Sequence, residues 1–517
     1  MNKRILLIST LLISVAARAQ TPEDALRYSY YPQNGTARNM AIGGAMTSLG
    51  GDLTALYTNP AGLGFFKTGE YLMTPGFVLN NNNNTFRDTK SKTTKSGFGF
   101  GPTGFVLGSP SRWNSKNSKA FALGVTQTAN FSNTLQYQGL NNYSSFTEQW
   151  AEQVAKSGLT IDQVLNNPQY AFGAAPALYT YLVDTVRVGG VLQVRGAPEN
   201  ILDAGQAIRQ QLSQQTRGGV YELAAGYAHN KNDKWYWGVT VGLPIVYYNS
   251  KTNFQEFDTS ARTNNGFKKF DYNDELTTSG VGLNGKIGVI YRPKEYIRLG
   301  LSIHTPTFMS LKDKRSSNLS ADIEPPQTTN SVVSTLFTSN RPWENNYSQR
   351  TPWKAAISAS YVFREVQNVQ RQRAFVTADI EYVHHRGSRF GSDNETETPV
   401  SPEEKAYYAA LNNVIKGEYK GAFNFKLGGE LKFNIIMARL GFAYYGNPYK
   451  DKELKANRML LSGGLGYRHK GVFFDVTYVH AFNKDVHFPY RLEDRANTFA
   501  TTKNQVGNVV ATVGVKF

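Results

Sequence analysis

From Glu70 to Phe517 apolar and polar side chains alternate with a period of two, segment after segment, and this limits the fold more than any other feature. Ile297, Leu299, Leu301 and Ile303 interleave with Arg298, Gly300, Ser302 and His304. Phe423, Phe425, Leu427, Leu431 and Phe433 interleave with Asn424, Lys426, Glu430 and Lys432, and Ile436, Ala438, Leu440, Phe442 and Tyr444 with Met437, Arg439, Gly441 and Ala443. A period of two puts each set on one face of a strand. A soluble sandwich alternates in the same way, so the aromatics decide. Trp237 and Tyr247, Trp353 and Phe363, and Phe423 and Phe433 stand near opposite ends of apolar faces, as the interfacial girdles of membrane barrels do. About fourteen segments recur, beginning near Glu70, Gly97, Ala120, Arg217, Lys234, Leu276, Glu295, Pro352, Arg373, Gly421, Ile435, Asn457, Gly471 and Thr502. The expected fold is all-β, an antiparallel transmembrane β-barrel of about 14 strands, an even number as single-chain barrels need. Short connections such as Asn230–Asp233, Arg292–Lys294 and Arg468–Lys470 are expected on the periplasmic side, with longer loops outside.

Composition agrees. Aromatics are 13% of 517 residues, with 47 Gly and 30 Tyr, yet mean hydropathy is only −0.42, far too polar for a helical membrane bundle. Beyond the N-terminus no stretch is apolar for the 18 or so residues a spanning helix needs. With no cysteine, disulfides and thiolate metal sites are excluded. The formal charge of +17 accompanies no compact Lys/Arg run, so nucleic acid is not an expected partner. The basic balance reads instead as loops and lumen meeting anionic headgroups or ligands.

Residues 1–19 read as a secretory signal: Lys3 and Arg4, an apolar run from Ile5 to Ala16, then Ala17-Arg18-Ala19 as an A-x-A cleavage site. Loss of Lys3, Arg4 and Arg18 leaves 17 − 3 = +14 on the mature chain. Thr21-Pro22-Glu23-Asp24 is a helix start, with a short helix expected to about Tyr30. Gly35 to Phe66 is dense in Gly and Ala, sparsely charged, and ends in Asn59-Pro60-Ala61-Gly62-Leu63. Gly and Ala let backbones pack closely and Asn-Pro forces an extended residue before a turn, which suits a confined space such as a barrel interior.

Ala37-Arg38, Ala41-Ile42-Gly43-Gly44-Ala45, Asp52, Ala55, Tyr57 and Asn59-Pro60-Ala61, set behind an export signal and ahead of amphipathic strands, resemble the N-terminal hatch of the outer-membrane long-chain fatty-acid and hydrocarbon transporters, the FadL/TodX family. The resemblance covers the hatch by motif and the remainder by architecture. It implies a hatch over residues 20–68 inside a barrel over residues 69–517, in the bacterial outer membrane. The implied activity is passive uptake of hydrophobic small molecules such as long-chain fatty acids or aromatic hydrocarbons. Ligand would be captured outside, passed to an internal site and released as the hatch rearranges, with sideways exit through the wall. Arg38, Asp52, Asn59, Pro60 and Ala61 are the expected hatch and gating residues, Arg38 pairing with Asp52 or a lumen acid. The alternating end Val509 to Phe517 resembles the signal read by the barrel-insertion machinery, with Phe517 as the contact. Outer-membrane lipids and a monomeric state complete the expected associations. A second reading, from another class, is a hatch-bearing barrel that scaffolds protein secretion or surface attachment.

The largest insertion runs from about Asn141 to Thr216 and is expected to form a helical external cap, with helix over Ala197 to Gln215. Ser310–Gln349 and Gly387–Lys416 are the next longest expected loops, and Asn80 to Asn84 is expected to be a polar tip between the first two strands.

Catalytic signatures are sparse. Gly99–Gly104 and Gly280–Gly285 match G-x-G-x-x-G, but neither opens a helix after a strand, so they read as small lumen residues near the hatch. His384 and His385 are neighbours and poorly placed to chelate one ion, and no metal or cofactor is expected. Asp379 and Glu381 share a strand face, more as compensated lumen charges than as an acid/base pair, and no enzymatic activity is expected. On the alternation Lys286, Arg298, Lys354, Lys426, Lys432 and Arg439 face inward. Most must be ion-paired in a closed interior; Lys286, Arg298 and Arg439 are the candidates for binding an anionic headgroup. Leu299 and Leu440 are expected to face lipid, and replacements at Ser302 or Gly441 to be milder.

Overall fold

The computed structural model describes residues 24–260, 262, 265–324, 330–363, 373–393, 400–452, 454 and 456–517. The expected export signal, residues 1–19, and Thr21-Pro22-Glu23 lie outside them. Among the described residues fourteen antiparallel strands close into a barrel. They are β1 (Gly69–Met73 and Pro75–Phe86), β2 (Thr89–Phe100 and Thr103–Pro110), β3 (Ser118–Asn130 and Asn133–Asn141), β4 (Ile208–Lys231), β5 (Trp235–Asp258), β6 (Lys269–Lys294) and β7 (Ile297–His304 and Phe308–Asp322). The ring continues with β8 (Trp343–Arg350 and Lys354–Phe363), β9 (Ala374–Val383 and Arg389–Ser392), β10 (Ala422–Phe433), β11 (Ile436–Tyr445), β12 (Arg458–His469), β13 (Val472–His487) and β14 (Ala500–Lys516). It closes where Gly76↔Val510 and Glu70↔Lys516 join β1 to β14.

Period two becomes an inside and an outside. Leu440 is 75% exposed and Phe433 63%, while Arg439 between them is 2% exposed. Trp237, Tyr247, Trp353, Phe363, Phe423 and Phe433 are all exposed on the outer face. That face has no route to burial other than lipid, which suits barrels of the outer-membrane type. No helix of the described chain is long and apolar enough to cross a membrane.

Several strands run further outward than the alternation implies. Strand β4 starts at Ile208 rather than Arg217, β6 at Lys269 rather than Leu276, and β8 at Trp343 rather than Pro352. Ser310–Gln349, expected as a loop, is mostly strand: Phe308–Asp322 and Trp343–Arg350 pair with each other. Above the membrane outward positions need not be apolar, so the contrast that marks a strand fades while the ladder continues. Asn80 to Asn84 is likewise not a tip; it lies inside β1, which turns only at Arg87-Asp88. Side by side in β7 and β8, Thr305-Pro306-Thr307 and Thr351-Pro352-Trp353 interrupt the ladder because proline has no N–H to give.

The insertion forms a cap over the outer mouth, with more turns and less helix than expected. Its helices are short apart from Thr147–Ser157, whose buried face is Trp150, Ala151 and Val154. Val183–Val188 and Val191–Gly196 form a separate hairpin. Of Ala197 to Gln215 only Glu199–Asp203 is helical, and from Ile208 the chain is already in β4. In the third long connection Ser401 caps the helix Pro402–Glu418, which buries Tyr407, Leu411 and Ile415 at every fourth position.

Replacing Leu440 by Arg is expected to cost roughly 2–4 kcal/mol of insertion stability if it sits near mid-bilayer, read as loss of the heat-modifiable folded band. Gly441 is not the mild site expected for it. A Cβ there would collide with the Ile42–Gly43 backbone inside the barrel. Gly441→Ala is therefore expected to lower the unfolding temperature, whereas Ser302→Ala should leave it nearly unchanged.

Candidate functional site

The N-terminal segment descends through the lumen and its irregular backbone is satisfied by the wall. A four-residue helix, Asp24–Arg27, lies at the upper level, and Leu26, Tyr28 and Tyr30 pack in one apolar cluster with Leu411 and Ile415 of the external-loop helix. Below it Thr512 Oγ1 accepts from Ala37 N at 2.8 Å, Thr477 Oγ1 donates to Ala37 O at 2.6 Å, and Ser462 Oγ donates to Ala41 O at 3.1 Å. Inward Ser and Thr on strands thus supply the partners an unpaired buried backbone requires.

The expected hatch residues fall into two roles. Asp52 caps the turn Leu53–Leu56, accepting from Thr54 N at 2.9 Å and from Thr36 Oγ1 at 2.8 Å. Asn59 caps Pro60–Phe65, its Oδ1 accepting from Ala61 N at 3.1 Å, while Pro60 takes the first position of the turn. The Asn59 amide also donates to Thr47 O at 2.6 Å and reaches the wall carbonyls Val289 O and Leu301 O at 3.4 Å. Gly288 faces this amide, and a Cβ on it would overlap Asn59. Arg38 meets a lumen acid rather than Asp52: its Nε lies 3.7 Å from Glu430 and its NH1 donates to Gly51 O at 3.2 Å.

Each of the three candidate headgroup cations is engaged within the chain. Arg439 bonds Glu430 at 2.6 Å and Asp475 at 2.5 Å, so Arg38, Glu430, Arg439 and Asp475 form one buried chain of charges. Arg298 donates to Leu49 O at 2.8 Å and lies 4.9 Å from the Phe65 ring. Lys286 pairs with Glu222 and donates to Asn284 Oδ1 at 2.7 Å. Asp379 accepts from Thr47 N at 3.0 Å, and Glu381 lies 3.8 Å from Lys426. These carboxylates therefore pin and compensate rather than pair as acid and base. His384 stacks on Trp353 and His385 is buried against Tyr30. Among the described residues no group of three or more His, Asp or Glu is placed to hold a metal. Gly101 does face the N-terminal segment, a Cβ on it lying 2.5 Å from Gly35 O, but Gly280 and Gly282 face β7 instead.

Between the upper cluster and the lower part of the N-terminal segment lies a cavity lined by Tyr28, Tyr30, Tyr57, Tyr445, Lys286 and His304 among others. Lys354 also lines it, and no hydrogen bond or salt bridge ties this ammonium to a described residue.

Beside the cavity the wall has a seam. Strand β2 pairs with β3 from Thr103↔Val125 to Pro110↔Ser118, but its outer part, Thr89–Phe100, has no backbone ladder to β3 among the described residues. Side chains bridge the gap. Asn80 donates to Ser132 O at 2.6 Å, Asn82 to Thr134 O at 2.6 Å, Asn84 to Gln136 O at 2.8 Å and Thr93 to Thr134 O at 2.8 Å. At its lower end Asn34 of the N-terminal segment donates to Phe100 O at 2.9 Å and Gln127 O at 2.7 Å, one carbonyl on each side. Sequence reasoning missed Asn34 and the role of the asparagine run; only its composition was visible.

The cap is tied down well outside the apolar band. Glu256 of β5 is fully buried and accepts from Phe146 N at 2.7 Å, Ser145 Oγ at 2.6 Å and Gln210 Nε2 at 2.7 Å. Burial pushes its carboxyl up to about 7 against these bonds. Glu148, held on Ser145 N at 2.8 Å and facing Arg495 at 3.3 Å, is raised to about 7 mainly by burial too. A carboxyl whose folded value is raised contributes stability that is fully present below its unfolded value and is lost as pH rises through the folded one. Protease resistance of the cap is therefore expected to fall between pH 5 and pH 8, by roughly 3 kcal/mol for Glu256. Glu256→Gln, which mimics the protonated form, should flatten that profile.

Comparison with solved structures returns the same architecture. A FadL homologue of Pseudomonas aeruginosa matches at a TM-score of 0.52 and 13% identity, over 94% of this chain and 99% of that one. The toluene transporter TodX of Pseudomonas putida matches at a TM-score of 0.50 and 14% identity, over 94% and 99%. No protein-family model matches the chain, and no curated protein matches it. At such identities the likeness is one of fold: the chain is similar to outer-membrane hydrophobic-compound transporters in being a closed fourteen-strand antiparallel barrel over almost its whole length.

Proposed function

We propose that the chain is a passive outer-membrane transporter of hydrophobic small molecules such as long-chain fatty acids or aromatic hydrocarbons. The observation that carries this reading is the seam between β2 and β3. A wall held by backbone ladders cannot part without losing many bonds together, whereas side-chain amides can be released one at a time, at about 0.5–1.5 kcal/mol each. The lower end of the seam, from Phe100 up to the Asn80–Ser132 bond, lies between the lumen cavity and the lipid, and Asn34 of the hatch is one of its stitches there. Ligand arriving in the cavity displaces Tyr28–Gln33 and draws Asn34 out, and the apolar molecule leaves sideways into the membrane. The Lys354 ammonium, which lines the cavity and shares the charge of Glu381 with Lys426 but has no hydrogen bond or salt bridge to a described residue, is the group best placed to hold an acidic headgroup, because Lys286, Arg298 and Arg439 are already spent on internal partners. Arg38, Asp52, Asn59, Pro60 and Ala61 then act as the latch that keeps the hatch against β6, β7 and β10.

The chain has no cysteine of its own, so a staple across the seam is a clean test. Thr93→Cys with Thr134→Cys, oxidised, is expected to cut uptake of a fluorescent fatty acid or of toluene into proteoliposomes at least tenfold, with recovery on reduction. Unchanged uptake in fully stapled protein defeats the lateral route. For the latch, Arg38→Ala with Asn59→Ala is expected to raise leakage of small solutes and alter ligand uptake at unchanged strand content by circular dichroism. Unaltered permeability in the assembled double variant would show a purely structural segment.

A further inference from the structure

The outward faces of β13, β14, β1 and the outer part of β2 change character along their length. Nearer the periplasm they carry Val476, Tyr478, Val509, Val513, Phe77 and Leu79, all exposed and apolar or aromatic. One step beyond the exposed Phe482 they become basic. Lys484 stands opposite Lys503, Lys503 opposite Asn83, and Asn83 opposite Lys92, a single row across four strands. The next row outward adds Lys90, opposite Thr85. All four lysines are exposed, and none is salt-bridged to a described residue. The outward positions of these four stretches contain no Asp or Glu at all.

Like charges directly opposite one another destabilise a sheet. Lys484 against Lys503, with no carboxylate on the face, therefore calls for a compensating anion from outside the chain. Height says where. Lys503 is 517 − 503 = 14 residues from Phe517, about 46 Å along the strand and roughly 35 Å in height at the usual tilt, just beyond an apolar band of about 25 Å. Ammonium groups at that level meet lipid headgroups, and ammonium is a good point charge for phosphate. We propose that this face binds the phosphate-bearing headgroup of an outer-leaflet lipid, whose acyl chains lie on the apolar stretch below it. Phe482 marks the boundary between the two parts of the site.

The test uses the full barrel in mild detergent, with lipid A or phosphatidylcholine added and retention read by native mass spectrometry. The unaltered chain is expected to retain lipid A about tenfold better than phosphatidylcholine. Lys92→Gln with Lys484→Gln and Lys503→Gln should lose that preference, whereas Lys312→Gln with Lys314→Gln, whose parents are paired with Glu344, should keep it. Heat-modifiable migration checks that each variant is folded; should the triple variant not assemble, Lys503→Gln alone is expected to weaken retention about threefold. Equal retention of lipid A by a folded lysine variant overturns the proposal. So does full displacement of lipid A by equimolar inorganic phosphate, which would mark a site for a free anion rather than for a lipid.

Discussion

A polypeptide without regular structure can occupy the inside of a barrel only if its backbone N–H and C=O groups find partners there. In this chain the partners come from the wall. Inward Thr477, Thr512, Ser462 and Asp379 meet the backbone of residues 37–47, and Asn59 returns the exchange by capping its own turn while touching carbonyls of β6 and β7. Small wall residues are the counterpart: Gly288, Gly428 and Gly441 stand where a side chain would overlap the segment. The N-terminal segment and the inner face are therefore one packing problem, and a change on either side is felt on the other.

The same economy governs charge. Arg38, Glu430, Arg439 and Asp475 form an alternating buried chain that ties the segment to β10, β11 and β13. Removing one member leaves the rest uncompensated, which is the costly case for buried ions. Lys354 stands apart from this network, on the cavity. Along the seam the outer part of β2 is likewise held to β3 by side chains instead of a backbone ladder, so cavity and seam are places where the interior is little committed.

Much of this was legible in the sequence, because period two and aromatic placement act locally. The strand number, the inside-outside assignment and the close-packed character of residues 35–66 follow from neighbours in the chain. The outer extensions of β4, β6 and β8 were not legible, because above the membrane polar residues satisfy both faces and the alternation loses contrast. Partners were not legible either. Lys286 and Glu222 are 64 residues apart and Asn34 and Gln127 are 93 apart, and alternation places a charge inward without naming its mate. The asparagine run misled for a related reason: Asn82 and Asn84 are buried, and asparagine is a turn former only when no long-range carbonyl claims its amide.

Strand β6 is 26 residues long, about 88 Å of chain and roughly 65 Å of height at the tilt of such barrels, of which the hydrocarbon takes only about 25 Å. The remainder stands as a tower of some 40 Å above the lipid. The cap at its summit is thus lifted clear of the headgroups. A large molecule approaching along the barrel axis would therefore reach Thr147–Ser157 and its companions before the wall below.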